Sequence, residues 1–315
     1  VEDDVRYRLT NLIKEKTLEL GFAKVGIARA AELTQEGKRL QEWLRRNYHA
    51  TMEWMERNAE RRIDPRAILP EARSVICVAM NYYTPLQHSR DSERGKISRY
   101  AWGDDYHIVL AERLALLVEC IKQIAPDALT KAYVDTGPVM EKAWAARAGL
   151  GWIGKHTNLI TRDVGSWVFL GEVITNLDLV PDEPGVDHCG TCRACIDACP
   201  THAIVEPYVL DSTKCISYLT IEHRGEIPDE LATKFENWVY GCDICQDVCP
   251  WNSFQQPSKE QAFQPRAHNV APRLEELTQL TVDEFRERYH RSPIKRTKRE
   301  GLARNADAIL RNRSS

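Results

Sequence analysis

Long apolar runs are missing from this 315-residue chain, and no segment approaches the roughly 20 consecutive apolar residues that a membrane-spanning helix needs. Charge interrupts every apolar stretch between Val1 and Leu20, so neither a secretory leader nor membrane insertion is expected. An excess of one charge sign is also missing. The formal net charge is -3, so no global field draws the protein to nucleic acid or to an acidic membrane, and any such attraction must be local. No G-x-G-x-x-G follows a strand pattern and no G-x-x-x-x-G-K-[ST] occurs, which removes the usual dinucleotide and triphosphate cradles. No short tandem repeat or low-complexity tract interrupts the chain. Cysteine, by contrast, is plentiful. Ten cysteines without a visible export signal point to a reducing, cytoplasmic setting, where cysteines bind metal more often than they form disulfides.

Helical and strand patterns alternate through the first half, which predicts an α/β or α+β domain. A helix from about Asp4 to Leu20 stops at Gly21, a strand runs from Ala23 to Ala28, and a helix from about Leu33 to Arg46. The apolar run from Ser74 to Asn81 reads as a buried strand, and Tyr106 to Ile124 has helical spacing closed by Pro126. Lys131 to Val134 and Trp167 to Thr175 read as further strands. Between them the turn Asp135-Thr136-Gly137-Pro138 is expected to open a helix that runs to Gly149, with proline at the first helical position. Pro181, Asp182, Glu183, Pro184 and Gly185 make a turn-rich linker, so three parts are expected: residues 1–180, 181–257 and 258–315. The last is a short helical segment and is locally basic. From Arg286 to Arg313 ten Lys or Arg stand against three acids, a run that reads equally as a solvated helical face or as a phosphate-contacting patch.

The cysteines fall into a pattern. Cys189, Cys192, Cys195 and Cys199-Pro200 match the C-x2-C-x2-C-x3-C-P spacing of bacterial ferredoxins. Cys242, Cys245 and Cys249-Pro250 repeat its ending without the first cysteine, a place that Cys215 can fill. Two 4Fe-4S clusters then use every ligand: Cys189, Cys192, Cys195 and the crossing Cys249 on one, Cys215, Cys242, Cys245 and the crossing Cys199 on the other. A pair of zinc sites also takes four thiolates each, but gives no reason for a repeated C-x3-C-P or for ligands exchanged between runs. Cys77, in a buried strand, and Cys120, on a helix, read as inert core residues. Two clusters in series relay single electrons, and the first half must supply what they serve.

Several segments of that half carry a resemblance. Tyr133-Val134-Asp135-Thr136-Gly137-Pro138-Val139-Met140-Glu141-Lys142 and Gly149-Leu150-Gly151-Trp152-Ile153-Gly154-Lys155-His156-Thr157-Asn158 resemble epoxyqueuosine reductase. So do Ile97-Ser98-Arg99-Tyr100-Ala101-Trp102-Gly103, Tyr240 to Asn252 around the second cysteine run, and Ser292-Pro293-Ile294-Lys295-Arg296. The resemblance spans residues 50 to 305. It implies a cobalamin-binding α/β domain related to that of reductive dehalogenases, followed by a two-cluster ferredoxin-like module and a short helical C-terminal segment. The implied reaction reduces the epoxide of epoxyqueuosine at the tRNA wobble position to the cyclopentene of queuosine, with electrons from an external low-potential donor and the enzyme working as a monomer. Many members extend further with helical repeats.

The resemblance makes Asp135 the proton donor. Read alone, Asp135 is a turn residue ahead of a helix, where the helix N-terminus favours the ionised form; burial against a flat corrin would raise its pKa instead. Expected cobalamin contacts are Arg57, Ser98, Tyr100, Asp135, the loop Gly154, Lys155, His156, Thr157 and Asn158, and Ser217 with Tyr218. Their plain alternatives are a surface charge for Arg57, a turn for Ser98 and core for Tyr100. A D-x-H-x-x-G motif is only approached, by Asp105-Tyr106-His107, so His107 and His156 are expected to be structural or polar pocket residues, not cobalt ligands. The rival readings are a reductive dehalogenase and a two-cluster electron-transfer protein.

Overall fold

The computed structural model describes residues 2–313. Its first part is built on a four-stranded sheet in the order Lys24–Arg29, Ser74–Asn81, Val168–Thr175, Thr130–Tyr133. Every neighbouring pair is antiparallel. Alternating helix and strand patterns do not fix strand direction, so of the two expected classes this part takes the α+β form. Ser74–Asn81 is central. Ile76, Val78 and Met80 enter the core on one face while Val75, Cys77 and Ala79 enter the core on the other, which is why the strand reads as an unbroken apolar run. Helices Glu2–Glu19 and Tyr106–Ile124 cover the first face through Ile13, Leu114 and Leu117; helix Glu141–Arg147 covers the second through Ala143 and Trp144. The Ile and Leu side chains among them contribute about 1.5–3 kcal/mol each when fully buried.

One expected element starts elsewhere. The helix after Asp135 begins at Glu141, three residues past Pro138, and its N-cap position is Met140. Asp135 therefore caps nothing: its φ of 54° lies in the left-handed region, and the chain turns sharply there. Gly137 then packs on the ring of Tyr133 so closely that a Cβ would stand 2.2 Å from Cδ1. That contact folds the loop onto the end of the sheet and delays the helix.

The cysteine-rich region and the C-terminal region share a second core. Trp102, Ile216, Phe235, Trp238, Tyr240, Leu274 and Leu302 pack in it together, and Lys96–Ile97 pairs in parallel with Trp238–Tyr240. Helix Lys298–Arg313 is fastened to this core by buried Asn305, whose Nδ2 donates to the carbonyls of Thr220 and Val239 at 2.8 Å each. A buried polar network ties the first part to the second. Asp243, 1% exposed at its side chain, accepts from Ser98 Oγ, from Arg99 N at 2.9 Å and from Arg99 at 3.3 Å, and His88 Nε2 lies 3.1 Å away.

Candidate active site between the sheet and the cysteine-rich module

A cavity of about 380 Å³ opens where the sheet meets the cysteine-rich region. The sheet supplies an aromatic wall. Phe169 stacks on Tyr106 at 4.4 Å between ring centroids and on Tyr82 at 4.3 Å, and Tyr100 continues the wall edge-on to Tyr106. Cys199, Cys215, Cys242 and Cys245 line the cavity from the other side, with Thr201, Ser217 and Gln246. His156, Thr157 and Asn158 close one end, and Asp135, Glu141 and Lys142 contribute charge.

Asp135 faces the cavity with 54% of its side chain exposed. Behind it, the start of helix Tyr106–Ile124 provides two donors: Tyr106 Oη donates to Asp135 Oδ2 at 2.7 Å, and His107 Nε2 meets the same oxygen at 3.1 Å. Asp105, the N-cap of that helix, holds His107 Nδ1 at 2.8 Å, so the imidazole bridges two carboxylates. Burial opposes charge on His107, but the bonds to Asp105 and Asp135 outweigh it and raise its pKa to about 9. Burial pushes Asp135 up, yet the bonds from His107 and Tyr106 and the charges of His107 and Lys142 leave it below the ordinary carboxylate value. At neutral pH the proton of this pair sits on His107, not on Asp135. The balance at Asp135 is thus set by neighbours that spacing did not reveal, and not by a helix N-terminus.

A second cavity, of about 470 Å³, is lined by Cys189, Cys192, Cys195 and Cys249, together with Lys155, His156 and Trp251. The chain thus groups Cys249 with the first run and Cys199 with the second. Lys155 is turned toward the cluster loop, its Nζ donating to the carbonyls of Gly190 at 2.6 Å and Cys192 at 2.8 Å. His156 lies in the wall common to both cavities.

Of the expected cobalamin contacts, Ser98, Tyr100, Asp135, His156, Thr157, Asn158 and Ser217 come together around the first cavity. Arg57, Gly154, Lys155 and Tyr218 do not line it. Arg57 is 71% exposed at its side chain beside Glu53, the surface-charge alternative. Tyr218 turns into the core and its hydroxyl meets Thr51 Oγ1 at 2.7 Å. Gly154 makes room for Ile160, whose Cδ1 would be 2.5 Å from a Cβ. Cys77 is fully buried in the sheet and lines neither cavity, nor does Cys120.

Comparison with known proteins follows the same division. Residues 188–252 match a family described as 4Fe-4S double cluster binding domain, and residues 62–136 match one described as epoxyqueuosine reductase QueG. Epoxyqueuosine reductase of Cellulophaga algicola is 48% identical over 95% of this chain and 97% of its own length. That of Synechocystis is 52% identical over 91% of this chain and 100% of its own. The chain belongs to the epoxyqueuosine reductase family. A crystal structure of epoxyqueuosine reductase with an epoxyqueuosine-modified tRNA-Tyr stem loop superposes with a TM-score of 0.91 at 36% identity, covering 96% of this chain and 81% of that one.

For a member of the epoxyqueuosine reductase family, both implied cofactors can be tested against these walls. Each cavity presents four thiols, the donor set of a 4Fe-4S cluster. The indole N–H of Trp152, buried without a partner in the same small cluster as Cys189, awaits an acceptor such as a cluster sulfur. His156 accepts from Asn158 N at Nδ1, which leaves its buried Nε2 as an unpaired donor at the cavity wall. Burial and then the Lys142 charge hold its pKa down to about 4, so the ring is neutral. A flat, largely apolar cofactor edged with amides matches that wall: aromatic faces to pack on and a lone donor to satisfy.

Spacing alone did not single out Tyr106, Lys142, Gln246 or Thr201. Asp105, at the helix cap ahead of Tyr106 and His107, was the available signal for the first of them. The basic run is mostly engaged in holding the C-terminal region. Arg304 donates to the carbonyls of Leu219, His223 and Gly225, Arg296 pairs with Glu222 at 2.9 Å, and Arg291 with Asp104 at 3.3 Å. Lys295 and Lys298 stay exposed. Among the described residues no helix is long and apolar enough to cross a membrane.

Proposed function

We propose that this chain reduces epoxyqueuosine in tRNA to queuosine, with Asp135 as proton donor at a cobalamin seated in the cavity beside the second group of cysteines. The observation that carries the reading is the Asp135–His107–Tyr106 arrangement on a cavity wall that faces Cys199, Cys215, Cys242 and Cys245. Removing the epoxide oxygen as water takes two electrons and two protons and leaves the ring carbon–carbon bond double. Cobalamin would supply the strongly nucleophilic, low-potential metal that no side chain offers. Its expected holders are Ser98, Tyr100, His156, Thr157, Asn158 and Ser217.

The chain's own part is protonic. Asp135 offers its carboxyl to the departing oxygen, His107 carries the proton that recharges it, solvent supplies the second proton, and Tyr106 fixes the carboxylate while its ring stays stacked on Phe169. The clusters' ligands are read as Cys189, Cys192, Cys195 and Cys249 for one and Cys199, Cys215, Cys242 and Cys245 for the other. An external low-potential donor, a monomeric enzyme and a cytoplasmic place of work complete the reading; a tRNA substrate and a site that must be kept reduced support the last.

Anaerobically purified, cobalamin-supplied protein given a strong reductant should convert epoxyqueuosine tRNA to queuosine tRNA. It should show corrin absorption at about one equivalent and iron at about eight. Release of halide from a haloaromatic without turnover of the tRNA would return the dehalogenase reading. Iron and sulfide without any corrin uptake would return the electron-transfer reading.

A further inference from the structure

Beneath Asp135 lies a pair of acids that the chemistry above does not use. Glu172 stands in strand Val168–Thr175 opposite Cys77 on one neighbouring strand and Tyr133 on the other. Side chains alternate along a strand, so Glu172 points with Ile174 toward the face covered by helix Glu141–Arg147. It is 0% exposed, and neither carboxyl oxygen has a hydrogen-bond partner. Burial, and after it the charge of Glu141, drives its pKa well above the ordinary value, so the group is held neutral. Glu141 is itself raised to about 8, first by burial and then by the charge of Asp135.

Glu141 is not idle. Its Oε1 accepts from the backbone N–H of Asp135, a residue whose φ of 54° is costly for any side chain but glycine. That conformation persists only if something fixes it. We propose that Glu141 is the positioning residue of the Asp135 loop, its carboxyl oxygen accepting the Asp135 N–H and so fixing the left-handed turn. The inference rests on Asp135 being the proton donor of the reaction proposed above.

The charged and titratable groups around Glu141 set the sign of a pH response. They are Asp135 from the loop, Lys142 beside it, Glu172 and Cys77 from the sheet, Tyr106 from the helix behind, and Arg62 from the short helix Ala59–Ile63. With the loop in place, burial and the Asp135 carboxylate favour the protonated form of Glu141 and outweigh the Asp135 N–H bond, which favours the ionised one. By linkage, the net preference for the proton means that removing it favours the loop's release.

Hydrogen exchange at the Asp135 amide, corrected for the intrinsic rate, tests this on the cofactor-loaded protein. Between about pH 7 and about pH 8.5, below the titration of His107, wild-type protection should fall once Glu141 ionises, approaching tenfold per pH unit. Glu141→Gln should stay protected throughout, because an amide keeps the accepting oxygen and has no proton to lose in this range. Glu141→Ala should lose protection by up to about tenfold already at pH 7. In turnover, the Ala variant should lower kcat with KM for the tRNA unchanged, and the Gln variant should restore it. Wild-type protection that is flat across the range, a Gln variant that behaves like Ala, or a loss carried by KM overturns the proposal. Should the Ala variant not fold, the wild-type and Gln series decides alone. Failure of the wild type to turn over tRNA would refute the proposed reaction and leave the exchange result standing.

Discussion

At the scale of single residues, the site's behaviour turns on where one proton rests. Asp135 is depressed and His107 raised to about 9, so the two form a carboxylate–imidazolium pair over a definite window. The raised histidine contributes stability that is fully present below its unfolded pKa near 6.5 and is lost as pH rises through about 9. The depressed aspartate contributes above its unfolded value of about 4, and that part is lost on acidification. If His107 recharges Asp135, kcat should fall about tenfold per unit above pH 9. His107→Gln should abolish that limb and lower the plateau about 10²–10⁴-fold; a variant that keeps the wild-type pH profile excludes His107 from the proton path. Asp135→Asn should retain corrin and iron yet lose most turnover, and wild-type rates in it would remove Asp135 from the mechanism. The sequence motif pointed to Asp135, but its partners come from a helix start 28 and 29 residues earlier, a distance only the folded chain closes.

At the scale of elements, legibility followed burial. The strand Ser74–Asn81 was readable because both its faces are covered, and helix Tyr106–Ile124 because its apolar side chains recur at helical spacing. The start of helix Glu141–Arg147 was not, because proline at Pro138 is equally suited to a first helical position and to a loop. What decides between them is the contact of Gly137 with the Tyr133 ring, a tertiary fact. The grouping of the cysteines was legible for a related reason: thiol spacing is set by chain geometry over a few residues. Of the residues expected at the cavity, those on loop ends line it, whereas Arg57 lies on the surface and Tyr218 in the core. Gly137→Ala tests the loop's packing. The added methyl cannot coexist with the ring at 2.2 Å, so either the ring or the loop must shift, at a cost of about 1–3 kcal/mol. We expect a lower midpoint in thermal unfolding together with a loss of kcat; an unchanged kcat would mean that the Asp135 loop tolerates displacement.

At the scale of the whole molecule, division by chemistry and division by packing differ. The expected boundaries near residues 180 and 257 follow a turn-rich linker and the end of the cysteine-rich region, yet one core joins Trp102 from the first part, Phe235 and Tyr240 from the second, and Leu302 from the third. Cys215 and Cys242 pack directly against that core. A cluster held by these thiolates is therefore also a structural cross-link, since metal binding couples to folding wherever the ligands come from separate stretches of chain. Removing iron with a chelator under reducing conditions should release more than the cysteine loops. Amide protection should fall across Ile216–Ile221 and Trp238–Tyr240, and with them in helix Lys298–Arg313, because Asn305 bonds to the carbonyls of Thr220 and Val239 within those same stretches or at their edge. The sheet should respond differently. Ser74–Asn81 and Val168–Thr175 are sealed by their own helices in separate cores, so their slow amides should persist after iron is gone. Exchange measured on the two forms distinguishes the cases: a C-terminal helix as protected without iron as with it would show that the shared core stands on its own apolar burial.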